Sequence, residues 1–169
     1  MTTDVLLVVG GLLVGMVLMG LMVWFTMPKL MLIKRRSSRS YVDTVAILSE
    51  GFKKKQDWRI LKINDYQEST AAFGAMERVC SVNVCNPRSA SKILADDANR
   101  GVTAIMPLAI GVYEDKKGQV FVSQLNVKLL GKMFGGTIAE MMGGPAQPSM
   151  RSLHPLLPSN GLCRRGLLG

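Results

Sequence analysis

From Val5 to Met27 the chain runs 23 residues without a charged side chain. At about 1.5 Å of rise per residue, a helix of that length covers a hydrocarbon core of roughly 30 Å. Every backbone N–H and C=O inside lipid must be paired within the segment, so a lone apolar run of this kind can span only as a helix. Asp4 before it and Pro28-Lys29 after it set the expected ends. A cleaved signal peptide would need a basic leader, an apolar stretch of about 7–15 residues and a small-residue cleavage site. Here the only early charge is Asp4, the run is too long, and Trp24-Phe25 stands where cleavage would fall. The pattern therefore predicts a retained membrane anchor. Gly11-x-x-x-Gly15 has the spacing that lets two membrane helices approach, and glycine is also tolerated there passively.

Beyond the anchor the periodicity changes several times. Ser37 to Ser40 reads as a polar hinge ending in an N-cap, after which Val42, Val45, Leu48 and Phe52 recur at helical spacing through Lys55. Alternation from Trp58 to Ile63 predicts a strand. Asp65 then caps a short helix reaching Phe73, which Gly74 stops. Arg78 to Cys85 is a β-rich run, and Asn86-Pro87 supplies an N-cap followed by proline at the first helical position. Ala90, Ile93 and Leu94 give that helix its buried stripe, ended by Asp96-Asp97 and Gly101. Val102 to Tyr113 and Gln119 to Asn126 are apolar arms joined by the polar loop Glu114 to Gly118, which predicts a hairpin with an edge or bend at Pro107. Leu130, Phe134, Ile138 and Met141 continue at helical steps across Gly135-Gly136, predicting one unbroken helix in which a glycine faces another backbone. From Gly143 onward prolines and isolated leucines predict a disordered tail.

This division leaves residues 1–39 as anchor and basic flank, 40–142 as one small domain and 143–169 as tail. The formal charge of +9 would suggest nucleic acid, but its distribution argues otherwise. Residues 1–39 hold five basic and one acidic residue, residues 40–142 thirteen and eleven, and residues 143–169 three and none. The domain is nearly neutral, so no nucleic-acid partner is expected. Lys29, Lys34, Arg35, Arg36 and Arg39 all follow the span, and basic residues near a span stay on the cytoplasmic side. The expectation is a single-pass protein of the inner (cytoplasmic) membrane with its N-terminus out and its domain in the cytoplasm. Trp24 lies near the cytoplasmic end, where interfacial aromatics sit.

Candidate chemistry is sparse. Cys80 and Cys85 are five residues apart on one strand, which points them to opposite faces with Cα atoms about 16 Å apart, beyond disulfide reach. Both read first as buried small hydrophobes. Cys85 keeps a second reading, because it stands where a strand meets a helix N-terminus, a location that can lower a thiol pKa. His154 is the chain's one histidine and falls in the tail, so the domain presents no Cys-His pair and no histidine metal ligand. Neither a metal nor a cofactor is called for, and no catalytic residue can be named.

The run Cys85-Asn86-Pro87-Arg88-Ser89-Ala90, Ile105-Met106-Pro107, Val112-Tyr113-Glu114 and Lys132-Met133-Phe134-Gly135-Gly136 resembles the domain of unknown function 302 family. The similarity covers roughly residues 40–142. It implies an α+β fold, an antiparallel sheet packed on helices in the manner of TATA-binding-protein-like folds, with a membrane-anchored branch in bacteria. The family implies no established activity. Its members often carry a second cysteine after the proline matching Pro107, where this chain has Leu108.

Two functions fit these residues. One is a cytoplasmic interaction or accessory module tethered at the membrane, partnered by the lipid bilayer and by a membrane protein complex or a second copy of the chain. The other is a small-molecule-binding or thiol-dependent redox site built on Cys85, Asn86 and Pro87. The first accounts for anchor, neutral domain and missing catalytic groups together and makes a non-enzymatic role the expectation.

Overall fold

The computed structural model describes residues 2–144, with side chains from Leu7 onward. The expected tail and its His154 lie outside the described residues, apart from Gly143 and Gly144 at the end of the last helix.

Helix α1, Thr2–Met31, contains the apolar run and continues past its expected end through Pro28 to Met31. Proline removes one helical hydrogen bond, but the carbonyls that a helix end leaves orphaned find a partner far along the chain. Asn126 donates from its backbone N–H to Met31 O at 2.7 Å and from Nδ2 to Leu30 O at 3.0 Å. The next residue begins strand β1, Leu32–Arg36, with no linker between.

That strand corrects the expected layout. Lys34, Arg35 and Arg36, read as a juxtamembrane flank before a hinge, lie in the sheet and pair antiparallel with β5, Val120–Leu125. Ser37, placed in the expected hinge, is buried; its N–H reaches Val120 O at 2.8 Å and its hydroxyl shares a 2.8 Å hydrogen bond with Thr44. Charged residues suit an edge strand because they blunt further strand addition.

The sheet is antiparallel with order β1-β5-β4-β3-β2, where β2 is Arg59–Asp65, β3 is Val79–Cys85 and β4 is Leu108–Glu114. Cys80, Val82 and Val84 alternate toward the core with Ile110, Val112, Val120 and Val122, as a half-covered sheet requires. A register shift between Ile60 and Lys62 bulges β2 and leaves Leu61 exposed. The expected hairpin is present between β4 and β5, with Asp115 Oδ1 accepting from the N–H groups of Lys117 and Gln119 and Gly118 at φ 73°.

Helices cover one face. Ser40 caps α2, Tyr41–Lys53, as expected, and Leu48 and Phe52 enter the core, whereas Val42 faces out and Thr44 takes the buried turn. Asp65 caps α3, Tyr66–Ser69, and a 3-10 turn carries the chain to Phe73 before Gly74. Asn86 caps α4, Pro87–Leu94. Residues 102–105, expected as the start of a strand, instead end a 3-10 segment, Asp97–Ile105, whose first turn is capped by Asp96 Oδ1 on Ala98 N–H at 3.0 Å. Val102 is buried by that turn rather than by strand pairing.

The expected continuous closing helix is broken. Asn126 caps α5, Val127–Phe134, and Gly135 at φ 71° and ψ −170° separates it from α6, Gly136–Gly143. A Cβ on Gly135 or Gly136 would meet no neighbour, so neither is the close-approach glycine. That role belongs to Gly131, where a Cβ would stand 3.0 Å from Met142 Cβ and 3.5 Å from Ala139 Cα. The break lets α6 fold back on α5 and deliver Ile138, Met141 and Met142 to the core.

Candidate functional site

Where β3 runs into α4, the chain forms one side of a half-open cleft of about 430 Å³, open solvent at its mouth included. Cys85 and Asn86 contribute to its wall, so the structure brings two of the three proposed site residues to one place. Pro87 is in the first turn of α4 and is not part of the lining. The opposite wall comes from Met106, Pro107 and Leu108, brought alongside because Val84 pairs with Leu108 in the β3–β4 register. Trp58, Met141 and Met142 close the back.

Local sequence explains the rim. Asn86 Oδ1 accepts from Ser89 N–H at 3.0 Å, the cap that its position before proline predicts, and this spends the amide's acceptor inside the protein. Asn86 and Ser89 are both buried. The cleft is therefore apolar in effect, with Trp58 held against Phe52 at a ring separation of 5.4 Å and three methionines able to adapt to an occupant.

Burial pushes the Cys85 thiol above its ordinary value of 9.0, opposing the lowering that a helix N-terminus can supply. Cys80 sits on the core side of the same strand beside Tyr41, and burial raises both groups. Both cysteines are free thiols. Among the described residues no cluster of His, Cys, Asp or Glu could hold a metal ion.

The membrane-flank residues divide by structure. Trp24 is exposed on α1, and Lys29 lies in its last turn. Lys34 reaches across the sheet face opposite the core to Phe121, with Nζ 4.0 Å from that ring and 5.2 Å from Tyr113, a cation–π pairing. Arg35 and Arg36 continue β1, and Arg39 lies beyond it in the exposed turn before α2.

Sequence reasoning found Cys85 and Asn86 but missed Trp58, Met106, Met141 and Met142. The Met106-Pro107 pair carried a usable signal, because a hairpin partner of β3 places it beside Cys85. Nothing local marked Met141 and Met142, which arrive through the turn at Gly135.

An antiparallel five-stranded sheet covered on one face by helices, behind an apolar N-terminal helix, defines a small α+β protein. The chain belongs to the family Domain of unknown function DUF302, whose profile matches residues 33–151. That match starts inside β1. The crystal structure of an uncharacterized conserved protein DUF302 from Bacillus stearothermophilus superposes with a TM-score of 0.59 and 22% sequence identity, covering 75% of this chain and 95% of that one. At that identity the likeness is one of fold. No curated protein matches the chain.

Proposed function

We propose that this DUF302 protein is a single-pass inner-membrane protein, N-terminus out, whose cytoplasmic α+β domain is an interaction module held at a set attitude to the bilayer. The observation that carries this reading is the joint: α1 passes into β1 without a linker, and Asn126 ties the last carbonyls of α1 to the start of α5. Leu7–Met31 is long and apolar enough to cross a bilayer, and its apolar 18-residue stretch has no buried residue, unlike the core helix of a soluble domain. A stiff joint of this kind suits a domain that must present one surface to a membrane-bound partner, either a protein complex or a second copy of the chain.

The small-molecule alternative draws support from the apolar cleft; its thiol-dependent form draws none, because Cys85 is pushed toward the protonated state. Protease added to sealed right-side-out cells should leave the domain whole and should remove it once the cells are opened. Digestion in sealed cells would overturn the orientation. A flexible glycine-serine insert between Met31 and Leu32 should keep the fold while releasing partners that copurify in mild detergent. Unchanged copurification would show that the joint is incidental.

A further inference from the structure

The strand register locates the cleft relative to α1. Ile33 stands two residues beyond α1, and one row of the sheet runs from it through Gln124 and Ile110 to Val82. Because β1 leaves α1 at Leu32, everything on the Leu32 side of that row belongs to the end of the sheet that α1 joins. Leu108, Val84 and Cys85 are on that side. Val84 and Cys85 lie two and three residues past Val82, or roughly 7–10 Å toward the α1 end, and three strand spacings put them about 14 Å to the side of β1. The cleft thus lies at the end of the sheet that α1 joins, whereas the β4–β5 hairpin and Phe73 occupy the far end.

Its chemistry matches that location. The acceptor of Asn86 is spent on its cap, and the buried side-chain polar atom without a partner among the described residues, Ser49 Oγ, lies elsewhere. The remaining lining is mostly hydrocarbon, which suits an apolar occupant. The cleft is open at its mouth, and its adaptable methionines fit a flexible chain better than a rigid ring. Arg59 and Arg88 are exposed, and each is next in the chain to a lining residue, Trp58 and Ser89.

We infer that the cleft receives one acyl chain of an anionic phospholipid from the adjoining leaflet, with Arg59 and Arg88 at its headgroup. This rests on α1 spanning the bilayer. Occupancy makes the lipid a structural ligand and places the domain against the membrane surface on the β3–α4 side.

Trp58 reports on the cleft. It is 6% exposed and packed on Phe52, and the chain's only other tryptophan is Trp24. Full-length Trp24→Phe protein is reconstituted in phosphatidylglycerol vesicles with and without brominated acyl chains, and emission is compared. Bromine entering the cleft quenches Trp58, and Ala90→Leu, which fills the lining, abolishes that loss while the protein stays folded. The difference between wild type and Trp24→Phe reports Trp24, and so the span itself. Quenched Trp24 with unquenched Trp58 overturns the lipid site and leaves the anchor standing. Quenching of Trp58 that persists in folded Ala90→Leu also overturns the site, since the bromine then acts from the bilayer. If Trp24 is not quenched, the membrane reading fails and the lipid site with it. Should Ala90→Leu not fold, native mass spectrometry of Trp24→Phe decides: a phospholipid adduct supports the site and a bare chain overturns it.

Discussion

Replacing Gly135 by alanine separates a broken closing helix from a continuous one. In a continuous helix the change would stabilise by about 1 kcal/mol, the propensity difference between the two residues. In this fold Gly135 has φ 71° and ψ −170°, a region that essentially only glycine occupies. Holding an L-residue there costs about 1–3 kcal/mol, offset by about 0.4–1 kcal/mol from the stiffer unfolded chain. The net expectation is a destabilisation of about 1–2 kcal/mol. No atom lies within 4 Å of the added Cβ, so the cost is a backbone cost and leucine should resemble alanine. At about 4–8 °C per kcal/mol for a domain of this order, the midpoint should fall by roughly 4–16 °C. The assay is thermal unfolding of the full chain in mild detergent, followed by Trp58 emission in the Trp24→Phe background. A raised midpoint for Gly135→Ala would refute the break, and a much larger loss for leucine than for alanine would refute the open surroundings.

Gly131 should behave oppositely, with a cost that grows with size: leucine must displace Met142 Cβ and the α6 backbone, losing about 1–3 kcal/mol through overpacking, while alanine recovers part of its cost from helix propensity. Equal midpoints for the two variants would contradict the α5–α6 contact. Asn126→Ala removes the α5 cap to Leu129 N–H and the side-chain bond to Leu30 O, so stability should fall by about 1–2 kcal/mol and amide exchange should quicken in β1; exchange unchanged at Leu32 to Lys34 would show that the tie does not hold the joint. Cys80, Cys85 and Tyr41 all have protonation raised by burial, so the stability they contribute is whole below the ordinary thiol value of 9.0 and is lost as pH rises through their folded values. Melting midpoints measured from pH 7 to pH 11 should decline above pH 9, and a flat profile would contradict the burial of these groups.

Much of the local architecture was written in short-range signals. Ser40, Asp65 and Asn86 each cap the helix expected of them, because a cap is a bond between residues three apart. The β4–β5 hairpin and the length of α1 are equally local facts. From the apolar run and the motifs around Cys85, the sequence by itself determined a candidate span, an α+β class and the family. What the tertiary structure decided were the pairings between distant segments. Lys34, Arg35 and Arg36 look like a solvated flank until β5 supplies a ladder for them, and Asn126 finds its second partner 96 residues away at Leu30. Residues 102–105 have strand-like composition yet turn helically, since Asp96 nucleates a capped 3-10 segment and Val102 finds its burial there. The spacing across Gly135-Gly136 kept helical period by coincidence, because α6 packs the same apolar side chains after reversing direction. Composition records which residues prefer burial; only the folded chain, through contacts that no local window contains, settles against what they are buried.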